Sequence, residues 1–99
     1  MEIIKTAEEG KMNIELKGRL DTTTAPELEK EISDVIEDIT DITLDLKELE
    51  YISSAGLRVL LATQKAMNRK EGTMVVKEVP EVIMEIFEVT GFSDILTIE

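Results

Sequence analysis

The chain has 99 residues and a mass of 11.1 kDa, the size of one ordinary domain with a folded surface of about 5,700 Å² and enough buried area to fold without staples. Apolar residues make up 42% of it, which excludes disorder, and the absence of Cys and His excludes disulfides, thiol nucleophiles, zinc sites and imidazole catalysis. Eleven Lys+Arg against 22 Asp+Glu leave a net charge of −11 and a pI near 4.4, a field that argues against nucleic acid and membrane surfaces and suits a basic protein partner better.

Met1 to Gly10 lacks a basic segment followed by an apolar run, and no apolar run approaches the ~20 residues needed to cross a bilayer. A cytoplasmic location is therefore expected. Ile3–Ala7 reads as a short strand and Gly10-Lys11 as a turn. Met12, Ile14 and Leu16 alternate with Asn13, Glu15 and Lys17, the period of a half-buried strand. Together they predict an opening hairpin.

Thr24 and Glu27 have capping-box spacing, and Pro26 sits where a first-turn proline is tolerated. Leu28, Ile32, Val35, Ile36 and Ile39 then recur at helical spacing, predicting a helix from about Ala25 to Asp38. Ile42, Leu44 and Leu46 alternate as a third strand. Ser53 or Ser54 can cap a second helix running through Leu57, Leu60, Leu61 and Met67 to a stop at Gly72. Thr73–Lys77 reads as a strand. Pro80 opens a third helix carrying Val82, Ile83, Ile86 and Phe87, which Gly91 ends. Asp94–Ile98 is the last expected strand. The predicted order is β-β-α-β-α-β-α-β in a single α/β domain over residues 1–99, with a mixed central sheet covered by helices.

Little in the chain suggests catalysis. The candidate acids and bases are scattered carboxylates, lysines and Tyr51, and no Gly-rich phosphate loop is present. Glu29, Glu31, Asp34, Glu37 and Asp38 read as the solvated face of the first helix. The chain is thus expected not to be an enzyme and to need no metal or cofactor of its own.

The informative stretch is Tyr51-Ile52-Ser53-Ser54-Ala55-Gly56-Leu57, where a strand ends and a helix begins. Sites in open α/β sheets concentrate at the carboxyl ends of strands. A serine here can simply cap the helix, with Gly56 allowing close helix–sheet packing. It can also be a switch, because phosphorylation adds about −1.5 to −2 charge and three acceptor oxygens. On the second helix, Arg58, Lys65 and Arg69 share one stripe at about 100° per residue, with Val59, Ala62 and Ala66 beside it, away from Leu57, Leu60 and Leu61. Such a stripe is either a solvated basic face or a docking surface for carboxylates of a partner.

This serine motif resembles the signature of STAS domains, in particular bacterial anti-sigma factor antagonists. Gly18-Arg19-Leu20-Asp21 resembles that family's Gly-x-Leu-Asp turn entering the first helix. The resemblance implies a phosphorylation-switched binding module. The unphosphorylated form holds an anti-sigma factor that is also a serine kinase, which frees a sigma factor; phosphorylation breaks the complex and a serine phosphatase restores it. Against the family pattern Asp-Ser-Ser/Thr-Gly-Leu, the phosphorylated serine falls on Ser54, with Ser53 at the Asp position as the second candidate and Ala55 at the second hydroxyl position. The implied partner surface comprises Asp21, Thr22, Ser53, Ala55, Gly56, Arg58, Val59 and Ala62. Asp21 has a competing reading as a turn residue bonding local amides. The alternative function is a non-switching STAS scaffold or accessory subunit of a regulatory or lipid-transport complex. An acyl carrier is a third idea, disfavoured because carriers are all-helical.

Overall fold

The computed structural model describes residues 1–99 and exposes 5738 Å² of surface. Its sheet has four strands in the order β1-β2-β3-β4. The hairpin forms as expected: β1 (Glu2–Glu8) runs antiparallel to β2 (Lys11–Leu20). Next to β2 come β3 (Asp41–Ile52) and β4 (Thr73–Lys77), both parallel, so the sheet is mixed. The crossovers are α1 (Ala25–Ser33) and α2 (Ser54–Arg69), and α3 (Glu81–Thr90) follows β4.

The period-two alternation has a direct consequence. Met12, Ile14 and Leu16 of β2, Ile42, Leu44 and Leu46 of β3, and Met74 and Val76 of β4 are buried. Asn13, Glu15, Thr43, Asp45, Val75 and Lys77 between them are only half-buried. The helices therefore cover one face, meeting the sheet through Leu28 and Ile32 of α1, Leu57, Leu60 and Met67 of α2, and Ile83 and Phe87 of α3. Each such side chain contributes about 1.5–3 kcal/mol when fully buried.

β2 and β3 run on beyond their regular alternation because both are irregular near their ends. The β2–β3 register shifts between Glu15 and Lys17 and again between Gly18 and Arg19. Gly18 sits at φ +104, a conformation open to glycine at no steric cost. In β3 the inward set changes parity after Leu46, so that Leu49 and Ile52 are the next buried residues. The Asp45 carboxylate accepts a hydrogen bond from the Lys47 amide at that point, at 2.9 Å.

Three expectations are corrected. First, α1 ends at Ser33, and Ile36–Asp38 forms a separate 3₁₀ turn. The Val35 amide reaches back only three residues, to Ile32 O. Val35 and Ile36 still pack on the core and Ile39 is buried, so the apolar spacing outlasts the helix. Second, Thr24 makes no side-chain cap with the first turn of α1, and the box lies one turn earlier, at Asp21 and Thr24. Third, Asp94–Ile98 is not a strand. Phe92–Asp94 is a 3₁₀ turn, Leu96 is tucked into the core, and a single bridge joins Ile98 to Val76.

The end of α2 also differs from the expected glycine stop. The Glu71 amide donates to Asn68 O at 3.1 Å and the Gly72 amide to Met67 O at 2.8 Å, the paired bonds of a Schellman turn. Glu71, not Gly72, holds the left-handed position, at φ +61. Gly72 is needed for a different reason: a Cβ there would lie 2.5 Å from Thr40 O and 2.8 Å from Met67 Cε. Glu71→Gly is therefore expected to stabilise the chain by about 0.5–1 kcal/mol, and Gly72→Ala to destabilise it. Chemical denaturation of both variants against wild type checks the opposite signs.

Candidate partner-binding site

The site is built where β2 and β3 end and α2 begins. Ser53 leaves β3 in an extended conformation and serves as the N-cap. Its amide donates to Leu20 O at 2.9 Å, its carbonyl accepts from the Leu57 amide at 2.9 Å, and its Oγ accepts from the Gly56 amide at 3.4 Å. Ser53 thus joins the ends of β2 and β3 to the start of α2, mainly through its backbone, with its hydroxyl oxygen accepting one long bond. Ser54, one residue on, is exposed in the first helical turn, outside that cap. The two serines differ in setting: Ser53 is the half-buried cap and Ser54 is exposed.

Gly56 is buried, and a Cβ there would come within 2.7 Å of Leu20 Cγ and 2.9 Å of Ile52 Cγ1. The missing side chain lets the helix rest directly on the last inward residues of both central strands. That contact sets the height of Ser54 above the sheet.

The β2–α1 turn stands beside it. The Asp21 Oδ1 atom accepts from the Thr23 amide at 3.0 Å and the Thr24 amide at 3.1 Å. Thr24 Oγ1 reciprocates, accepting from the Asp21 amide at 2.8 Å and donating to Arg19 O at 2.8 Å. This is the reciprocal logic of a capping box. These bonds hold the Asp21 carboxyl below its ordinary value of 3.8, the Thr24 amide contributing most, against a smaller opposing effect of burial. Arg19, 3.7 Å from Asp21 Oδ2, also lies over the Tyr51 ring at 4.2 Å from its centroid. Arg19 and Tyr51 are register partners across β2 and β3, so the bulge at Gly18 brings them together.

A shallow groove of about 480 Å³ lies between α1 and α2. Its α2 side carries Ala55, Arg58, Val59, Leu61, Ala62 and Lys65, and its other side Thr22, Ala25, Pro26 and Glu29. Five of the expected surface residues, Thr22, Ala55, Arg58, Val59 and Ala62, come together here. Asp21 and Ser53 lie at the sheet edge of the site and Gly56 beneath it. Val59 is only 5% exposed and belongs to the floor, contrary to its reading as a residue away from the core side of α2. Leu61, assigned to the core face, is half-exposed and lines the groove. The α1 half of the groove and the Arg19–Tyr51 pair were not anticipated. Pro26 at a helix start gave the only hint of the former, and the cross-strand register alone reveals the latter.

No group of three or more carboxylates is placed to hold a metal ion, and no helix is long and apolar enough to cross a membrane. What the site offers is a basic, partly apolar groove beside an exposed hydroxyl, a geometry for docking.

Comparisons with known proteins agree with this architecture. The STAS domain family matches residues 2–99. BtrV of Bordetella bronchiseptica, assigned as an anti-sigma factor antagonist, is 37% identical over 84 residues, covering 84% of this chain and 72% of that protein. The anti-sigma-B factor antagonist of Staphylococcus aureus is 31% identical over 97 residues, covering 97% and 90%. Among solved structures, an anti-sigma factor antagonist from Mycobacterium paratuberculosis superposes with a TM-score of 0.86 at 24% identity, covering 98% of this chain and 83% of that one. Unphosphorylated SpoIIAA superposes at 0.81 and 16% identity, covering 99% and 87%. The chain belongs to the STAS domain family, and the two relatives named above carry the name of anti-sigma factor antagonists.

Two outcomes follow from the geometry. Gly56→Ala gains about 1 kcal/mol of helix propensity but meets an overpacking cost of about 1–3 kcal/mol against Leu20 and Ile52, so a net loss of stability is expected in urea unfolding. Asp21→Ala is expected to lower Tm at pH 7. Because the folded carboxyl titrates below 3.8, its contribution is complete above that value and is lost as pH falls through the folded pKa. The Tm difference between Asp21→Ala and wild type should therefore shrink in acid.

Proposed function

We propose that this STAS domain is an anti-sigma factor antagonist whose partner binding is switched by phosphorylation of Ser54. In this reading the unphosphorylated chain sequesters a cytoplasmic anti-sigma factor that is also a serine kinase, and so releases a sigma factor. The observation that carries the switch is the division of labour between adjacent serines. Ser53 is the half-buried N-cap whose Oγ accepts from the Gly56 amide, while Ser54 is exposed beside the groove of Arg58 and Lys65.

The kinase supplies ATP, magnesium and the base. The Ser54 oxygen attacks the γ-phosphorus, the bond to the β–γ bridging oxygen breaks, ADP leaves, and the serine proton passes to the kinase's base. The chain contributes only the presented hydroxyl, in keeping with a substrate rather than an enzyme. The product carries about −1.5 to −2 extra charge on a chain already at −11. A partner surface with carboxylates complementary to Arg58 and Lys65 would meet that new charge at close range, so affinity falls. Ala55 removes the hydroxyl that the family pattern carries after the phosphorylated serine, which leaves Ser53 as the other hydroxyl of the motif. A serine phosphatase acting on the modified chain reverses the switch.

The test immobilises wild type, Ser54→Ala and Ser54→Asp and identifies by mass spectrometry what each retains from lysate of the source cells. Wild type and Ser54→Ala are expected to hold an ATPase of the histidine-kinase-like class, and Ser54→Asp to bind it at least about tenfold more weakly. The purified pair with Mg-ATP should then place phosphate on Ser54 of the wild type and none on Ser54→Ala. Equal retention by all three would instead assign the chain to the constitutive STAS scaffolds.

A further inference from the structure

The groove and the serine loop leave the C-terminal part of the chain unused. From Glu78 to Glu99 there is no Lys or Arg, while Glu78, Glu81, Glu85, Glu88, Asp94 and Glu99 are acidic. The charge of the chain is thus segregated, since Arg58 and Lys65 face the α1/α2 groove. Within this acidic stretch α3 exposes two large apolar side chains among its glutamates. Val82 is 53% exposed and Val89 is 87% exposed. Ile86 lies half-buried between them.

Spacing explains the pattern. On α3, Ile83 and Phe87 point into the core. At about 100° per residue, Val82, Ile86 and Val89 form a second stripe along one flank, at the i, i+4, i+7 spacing of a helix-docking seam. Glu81, Glu85 and Glu88 border that stripe on its solvent side, and all three are exposed. A hollow of about 280 Å³ beside the stripe is lined by Glu85, Ile86, Val89 and Thr90. None of the groove's residues lies on α3.

We infer that the Val82–Ile86–Val89 stripe of α3 docks a basic amphipathic helix of a protein partner, on a surface separate from the α1/α2 groove. The charge selects this occupant. A second copy would bring Glu81, Glu85 and Glu88 against their own like charges, and anionic lipid or nucleic acid would meet the same field. An apolar helix flanked by Lys or Arg covers the valines and pairs its cations with the bordering glutamates. The inference does not rest on phosphorylation of Ser54.

The test titrates the full chain with a synthetic helical peptide carrying leucine on one face and lysine at its borders, followed by calorimetry and amide chemical shifts. A saturable complex is expected, with shifts concentrated on Val82–Thr90. A peptide of the same composition with its leucines scrambled should bind at least about tenfold more weakly. The double variant Val82→Ser, Val89→Ser should weaken the patterned peptide to a similar degree without lowering Tm, because both side chains are exposed in the free chain. Equal affinity for patterned and scrambled peptides, shifts centred on the α1/α2 groove, or unchanged binding by the double variant would overturn the proposal. So would concentration-dependent dimerisation of the chain that Val89→Ser abolishes, which would make a second copy the occupant.

Discussion

Helix α2 rests on the sheet at Gly56, where an added Cβ would come within 2.7 Å of Leu20 and 2.9 Å of Ile52. Those two residues are the last inward side chains of β2 and β3, so the contact joins the ends of both central strands to the first helical turn. Much of the site depends on it. The Ser53 cap can form because the helix starts at this height, and Ser54 stands exposed because its neighbour is drawn down to the strand ends. The groove between α1 and α2 then opens on the far side of the same helix. A core contact thereby helps decide which of two adjacent serines caps the helix and which stands exposed.

Charge is arranged as deliberately as packing. A chain at −11 would be expected to present acid on every side. Instead Arg58 and Lys65 line the groove, opposite Glu29 of α1, and Arg19 covers Tyr51 at the strand ends. The cations of the groove sit among small or apolar residues, so a partner docked there as proposed would desolvate them and strengthen their attraction for its carboxylates. The C-terminal stretch has the reverse character, with apolar side chains set in an acidic border and no Lys or Arg between Glu78 and Glu99. Two surfaces of opposite electrostatic character on one small domain would let it distinguish two kinds of partner, since like-charge juxtaposition penalises the wrong one.

The two central strands were legible because alternation in β2 and β3 is regular where it matters: Met12, Ile14 and Leu16, and Ile42, Leu44 and Leu46, are inward throughout. Apolar spacing was a poorer guide to where elements stop. Val35, Ile36 and Ile39 kept a helical rhythm beyond the end of α1 because residues in a 3₁₀ turn also pack on the core. Ile95 to Ile98 kept a strand-like composition, but Leu96 is buried from a coiled path and only Ile98 reaches β4. At the site, the serine motif and most of the α2 surface were visible in advance. The α1 wall, the burial of Val59 and the exposure of Leu61 were not, because they depend on the angle at which two helices meet.

Local chemistry in the sequence by itself determined the alternating α/β order, the inward faces of the strands, the serine-bearing start of α2 and the absence of thiol and imidazole chemistry. It also carried the family signature, since Ser53-Ser54-Ala55-Gly56 stands in the chain without reference to anything distant. Tertiary structure decided the rest. It put the first capping box at Asp21 and Thr24, because Thr24 could reach back to Arg19 once Gly18 had bulged. It left Glu71 in a left-handed turn so that Gly72 could pass beneath Thr40. It separated Ser53 from Ser54, because a cap needs Leu20 and Gly56 in place, and those contacts span more of the chain than any local pattern can encode.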